Sequence, residues 1–188
     1  MKKLLLSASM LMLAGASAFA ATDGQTYESV DGIKCENLWV FDRQHTEDAY
    51  KANPIAATSA RTATTDGTTV YVGLSGETAT IEKFDLKTGA YLGSLALTKG
   101  GEAFKGTLAV NQVGFDEYGH FYAATFSANS KGDGQYEVYT VDLTTGAVTS
   151  VGDLFFDGGT GRIDYCDVIG DITGVEANAT VMAVTSAA

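Results

Sequence analysis

Acid–base chemistry near neutral pH draws first on histidine, and this chain has two, His45 and His120. His120 stands between Gly119 and Phe121, at a turn-to-strand junction where a polar residue also serves as ordinary surface. His45 falls in a stretch without periodic pattern. A serine nucleophile would need a Gly-x-Ser-x-Gly elbow, and Gly73-Leu74-Ser75-Gly76 has the wrong spacing for one. A Ser-His-Asp hydrolase is therefore not indicated. Carboxylates are the richer resource. Asp153, Asp157, Asp164, Asp167 and Asp171 crowd the C-terminal end around Gly158-Gly159-Thr160-Gly161. Acids at loop spacing suit Ca²⁺, which takes about six to eight oxygens, and Asp157, Asp164 and Asp167 are the candidate ligands. The order is not that of an EF-hand, and Asp–Gly turns form without metal. No other cofactor is indicated.

Cys35 and Cys166 are the two cysteines. A disulfide between them suits an exported protein, and it requires the opening strand and the last unit to meet. Buried thiols on apolar strands are the other reading, and both stay open at this point. The absence of Cys-x-x-Cys spacing argues against zinc. Among the aromatic residues, most lie inside strand-like runs where packing is their ordinary task. Trp39, Phe155 and Phe156 are the ones placed to stack on a ligand.

These residues need a frame, and the ends of the chain come off first. Lys2 and Lys3 precede an apolar run from Leu4 to Ala14, and Ala18-Phe19-Ala20 has the small-x-small form of a cleavage site. Residues 1–20 read as a secretory signal peptide; the run falls short of the roughly 20 apolar residues of a membrane span. The protein is expected to be exported by a bacterium, to the periplasm or beyond. The chain carries 12 Lys and Arg against 23 Asp and Glu, a formal charge of −11. That balance repels nucleic acid and anionic membranes. No second apolar span follows the signal, so no integral membrane segment is expected.

Glycine is abundant at 22 residues, proline occurs once, and Thr, Val, Tyr and Phe are plentiful. This mixture predicts an all-β fold with many glycine turns. Residues 21–34 read as a polar arm, and 35–188 as one domain. Cys35 to Asp42 reads as a strand. Asp85-Leu86-Lys87-Thr88-Gly89-Ala90 returns as Asp142-Leu143-Thr144-Thr145-Gly146-Ala147, each copy after an alternating apolar run. Asp and Thr can bond the local backbone and Gly accepts positive φ, so each copy predicts a reversal between strands. Asp66-Gly67 and Asp116-Glu117-Tyr118-Gly119 predict a second pair of equivalent turns, about 50 residues apart. Arg162 to Ile169, a Gly170-Asp171 turn and Ala179 to Ser186 begin a third unit.

Four-strand repeats of this length are the mark of propeller blades. The stretches Asp66 to Val72, Ile81 to Gly89 and Tyr139 to Gly146 resemble blades of YncE-like and quinoprotein-like secreted β-propellers. Gly161 to Ile172 resembles the Gly-Asp turns of uncharacterised secreted propeller proteins of Bacteroides-type bacteria. The resemblance spans about residues 35 to 186 and implies antiparallel four-stranded blades. Closed propellers use about four to eight of them. This chain supplies about three, the last incomplete, so a partial or truncated propeller is expected, with a β-sandwich as the alternative.

Fold alone does not fix activity. The expected function is a non-enzymatic binding or scaffold module that offers propeller loops to a protein or glycan partner, with self-association as a way to complete the sheet stack. Two alternatives stand beside it. One is part of a quinoprotein-like oxidoreductase or a propeller-type lyase or hydrolase, for which no cofactor residues can be matched. The other is a truncated fragment without independent function.

Overall fold

The computed structural model describes residues 26–39, 60–105, 109–125, 135–155, 162–178 and 180–186. Every element in them is a β-strand and every sheet is antiparallel. The chain divides into two units, Met1–His45 and Thr46–Ala188. No helix in the described residues is long and apolar enough to cross a membrane. The signal segment of residues 1–20 lies outside the described residues.

In the first unit, β1 (Thr26–Glu28) pairs with β2 (Lys34–Glu36). Ser29 makes the turn: its Oγ accepts from the Ile33 amide at 3.1 Å, and its carbonyl accepts from the Gly32 amide at 3.0 Å. The polar arm expected over 21–34 thus contains a strand, which the composition hides because both faces of the hairpin are exposed. The strand expected from Cys35 to Asp42 is seen only in its first residues, and 40–42 lie outside the described residues.

The second unit holds two four-stranded meanders and a hairpin. The first sheet runs β3 (Ala60–Thr65), β4 (Thr69–Leu74), β5 (Thr80–Asp85), β6 (Tyr91–Ala96), in that spatial order. After the short pair β7 (Thr98–Lys99) and β8 (Glu102–Ala103), the second sheet repeats the plan with β9 (Gln112–Phe115), β10 (Phe121–Ala124), β11 (Gln135–Val141) and β12 (Val148–Phe155). The hairpin is β13 (Arg162–Ile169) with β14 (Thr180–Ser186). The first strands are neighbours: β9 lies against β3 and against β13.

The second sheet is the middle layer, and β10 shows why. Phe121, Tyr122, Ala123 and Ala124 are all buried, and alternation sends them to opposite faces. Phe121 and Ala123 enter a core with Tyr71, Ile81, Leu97, Val113 and Tyr139. Tyr122 and Ala124 enter a smaller one with Val138, Cys166, Val168 and Ile172. The ring of Tyr122 lies across its strand partner Gly114, where any Cβ would overlap the phenol. Its hydroxyl donates to Asp167 Oδ1 at 3.2 Å. Burial and the nearby Asp167 carboxylate raise the Tyr122 phenol pKa.

The Asp-x-x-Thr-Gly copies form the β5–β6 and β11–β12 reversals, as their residues predict. Asp85 Oδ1 accepts from the amides of Lys87 at 3.0 Å and Thr88 at 2.8 Å, and from the Thr88 hydroxyl at 2.8 Å. Asp142 Oδ1 accepts from the amides of Thr144 at 2.7 Å and Thr145 at 3.2 Å. The Thr88 hydroxyl holds Asp85 below the usual carboxylate range, and the Thr144 amide does the same for Asp142. Asp85→Ala and Asp142→Ala are each expected to lower the melting temperature, and unchanged thermal melts for both would show that these carboxylates do not shape their turns.

Candidate functional site

A second set of aspartates builds the site. Asp66, Asp116 and Asp171 each stand after the first strand of a sheet and cap the turn into the next. Asp66 is satisfied within its own sheet. Its Oδ1 accepts from the Thr68 and Thr69 amides, each at 2.8 Å, and its Oδ2 from the Tyr71 hydroxyl at 2.8 Å. Those donors, led by the Thr69 amide, pull its pKa far down.

Asp116 starts the same way, with Oδ1 accepting from the amides of Tyr118 at 2.9 Å and His120 at 2.8 Å. Its Oδ2 then reaches into the next sheet and accepts from the Ile172 amide at 2.8 Å. In the β13–β14 turn, Asp171 Oδ1 accepts from the Thr173 amide at 2.7 Å and the Thr173 hydroxyl at 2.5 Å. Asp171 Oδ2 accepts from the Glu176 amide at 2.5 Å and the Ala177 amide at 3.4 Å.

His120 bridges the two turns. Its Nδ1 lies 2.9 Å from Asp116 Oδ2 and 3.1 Å from Asp171 Oδ1. Both carboxylates are fully buried, while the imidazole is 35% exposed. The bond to Asp116, reinforced by the charges of Asp116, Asp171 and Glu176, raises the His120 pKa above its ordinary 6.5. Burial works against ionisation of Asp116, but the Ile172 and His120 amides outweigh it and hold the carboxyl low. For Asp171 the Thr173 and Glu176 donors likewise overcome burial, and the pKa falls far below 3.8.

The three ligand-type atoms of Asp116, His120 and Asp171 lie within 4.8 Å of one another, close enough to surround a cation. The donor count argues for another role. Asp116 Oδ2 already accepts from Ile172, and Asp171 Oδ1 from two groups of Thr173. Nδ1 facing two carboxylates suits a ring that carries a proton on that nitrogen. The arrangement is a charge-assisted clamp between sheets.

Beside the clamp, an open cleft of about 480 Å³ is lined by His120, Phe121, Thr140, Asp142, Thr149 and Thr173, among others. Its walls come from the end of the second sheet and from the β13–β14 turn. Phe121 is nearly buried in the core below, and the lining mixes the apolar Val141, Leu143 and Ala147 with the threonines, His120 and Asp142.

Of the residues singled out from the sequence, His120 stands in the site, while Asp167 is not among the residues that line the cleft. Trp39 is half-buried at the end of the first unit's described stretch, and Phe155 is the last residue of β12. Phe156 and Asp157 lie outside the described residues. Asp164 sits at the register shift between Ile163 and Tyr165 on β13. Asp167 is exposed on the same strand, accepting from Tyr122 and from its neighbour's amide, Val168, at 2.9 Å. Cys35 is an exposed thiol on β2, and Cys166 is a buried thiol in the smaller core. In the sequence, His120 and Asp171 read as residues of separate turns. The signal that would have joined them is the third Asp turn, in register with the first two.

No protein-family model, curated protein or solved structure matches the chain.

Proposed function

We propose that this chain is an exported binding module built from blades of a partial β-propeller, and that the cleft beside His120 takes a hydroxyl-rich ligand, a glycan. The cleft carries the reading. It sets Thr140 and Thr149 hydroxyls, the Asp142 carboxylate and the His120 imidazole around one open space of about 480 Å³. Sugars need such mixed donors and acceptors at short reach, and threonine offers both from one atom. Three features support the blades: the repeated meander order, the contact of successive first strands β3, β9 and β13, and the burial of the second sheet on both faces. They are also what the resemblance to YncE-like and quinoprotein-like propellers implies. Export follows from the signal-like residues 1–20.

A glycan array probed with the protein tests the ligand class, and titration calorimetry of the best binder tests the place. Thr149 is exposed at the cleft wall, so Thr149→Lys is expected to fill the space and weaken binding about tenfold or more. Trp39→Ala, in the other unit, is expected to leave binding unchanged. Binding that survives Thr149→Lys but fails in Trp39→Ala overturns the cleft assignment, and an array without binders overturns the glycan reading.

A further inference from the structure

We propose that His120 is a pH-operated latch that holds the β13–β14 hairpin against the second sheet. The geometry is specific to this junction. One ring nitrogen faces two fully buried carboxylates, Asp116 from the β9–β10 turn and Asp171 from the β13–β14 turn. The two carboxylate oxygens lie within 4.8 Å of each other, where like charges repel strongly once water is excluded. A neutral imidazole can aim its single Nδ1 proton well at only one of them. An imidazolium also places a positive charge between the two, and that charge turns a repulsive pair into a bridge. The first sheet has no such device, because Asp66 spends its second oxygen on Tyr71.

The other acidic groups on the turns around the ring have the same sign. Glu117 lies in the β9–β10 turn, and its Oε2 accepts from the Gly170 amide at 3.1 Å. Glu176 belongs to the β13–β14 turn, and Asp142 faces the cleft from the β11–β12 turn. Of these, Glu176 adds to Asp116 and Asp171 in favouring the protonated ring. Among the described residues the hairpin it holds is two strands wide and is packed through a small core, and the clamp stands beside the Tyr122–Asp167, Glu117–Gly170 and Asp116–Ile172 hydrogen bonds that also cross this junction.

The pH window follows from the directions of the shifts. His120 is raised above 6.5, so its stabilisation is complete below that value and is lost as pH climbs through the raised one. Asp116 and Asp171 are lowered below 3.8, so theirs is complete above that value and is lost as pH falls through the depressed ones. The latch is closed in mildly acidic solution and loosens toward alkaline pH. His120 and Thr173 also wall the cleft, so an open latch would reshape it. The latch itself rests on the clamp and is tested without ligand, so its failure and that of the cleft reading are separate results.

Imidazole ¹⁵N spectra of the full chain, recorded from about pH 5 to about pH 9 across the histidine range, should give His120 a midpoint above the ordinary value. Hydrogen exchange should show β13 and β14 amides losing protection over the same interval, after correction for base catalysis, while β4 and β5 amides keep theirs. His120→Gln should make the hairpin's profile flat, and His120→Arg, charged throughout, should keep it protected at the alkaline end. A His120 midpoint at or below 6.5, or hairpin protection that ignores pH in the wild type, overturns the latch, and neither readout depends on a variant folding. A profile that moves on adding EDTA overturns it in favour of a bound metal ion.

Discussion

Gly146→Ala is expected to destabilise the fold by about 2–3 kcal/mol, while Gly89→Ala, the same change in the first copy of the phrase, is expected to cost about 1–2 kcal/mol. Both glycines hold positive φ, 76° and 68°, and a side chain in that region carries the smaller penalty at either site. Gly146 has a further constraint. An added Cβ there would overlap the Ala96 carbonyl oxygen, at the point where the chain leaves the first sheet. The turn and that segment are joined by a hydrogen bond from the Thr98 amide to the Gly146 carbonyl at 2.9 Å and by the parallel bridge between Thr98 and Ala147. Moving the backbone to relieve the overlap breaks that bond, which adds about 1 kcal/mol to the local strain. Melting followed by circular dichroism should show a loss on the order of 10 °C for Gly146→Ala in a chain of this size, and a clearly smaller one for Gly89→Ala. Equal losses would mean that the second copy docks on nothing.

The inequality of two like phrases marks what one chain's sequence conveys. Asp-x-x-Thr-Gly is a local instruction, since its Asp, Thr and Gly act on amides within four residues, and both copies form the reversal their letters imply. The strands around them alternate apolar and polar side chains and are legible for that reason. β3 was not, because Ala60–Thr65 carries no large apolar residue and Thr64 to Gly67 reads as turn. Its extended state comes from the ladder to β4, with Thr62 facing Gly73 and Thr65 facing Val70. β7 and β8 are two residues each and exist because Lys99 and Phe104 have partners on the second sheet. Lys99 Nζ pairs with Glu137 Oε1 at 2.7 Å and lies 4.9 Å from the Tyr139 ring centre, and Phe104 meets that ring edge-on at 5.0 Å. The candidate site was illegible for a related reason. Asp116, His120 and Asp171 are each ordinary turn residues in their own segments. Their meeting depends on the hairpin stacking on the second sheet, which no local pattern encodes. The crowd of acids near the C-terminus pointed to Asp157, Asp164 and Asp167; of these Asp167 meets the Tyr122 hydroxyl across the sheets, whereas the carboxylate that meets His120 is Asp171.

Asp116→Ala is expected to cost about 3–5 kcal/mol, against about 1 kcal/mol for Asp66→Ala, although both residues cap equivalent turns. The difference lies in where the orphaned donors end up. In the first turn, the Thr68 and Thr69 amides are exposed, so water replaces the carboxylate there at little loss, and the part-buried Tyr71 hydroxyl is the one donor that loses a sheltered partner. In the second, the Ile172 amide bond is buried, and Asp116 is the only acceptor it has among the hydrogen bonds described above. Losing it strands that amide, frees those of Tyr118 and His120, and leaves the imidazole facing Asp171 alone. Each buried donor left unmade costs about 1–3 kcal/mol, and the losses fall on one small junction, so the hairpin should detach before the sheets unfold. Urea denaturation gives the global cost. Exchange of β13 and β14 amides locates it, with faster opening there than in β4 and β5. Asp116→Asn separates shape from charge: its amide oxygen still accepts from Ile172, so it should retain much of the stability. It removes the largest influence raising the His120 pKa, so that pKa should fall toward its ordinary value. Asn behaving like Ala in stability would show that the negative charge, and not the acceptor geometry, holds the turns together.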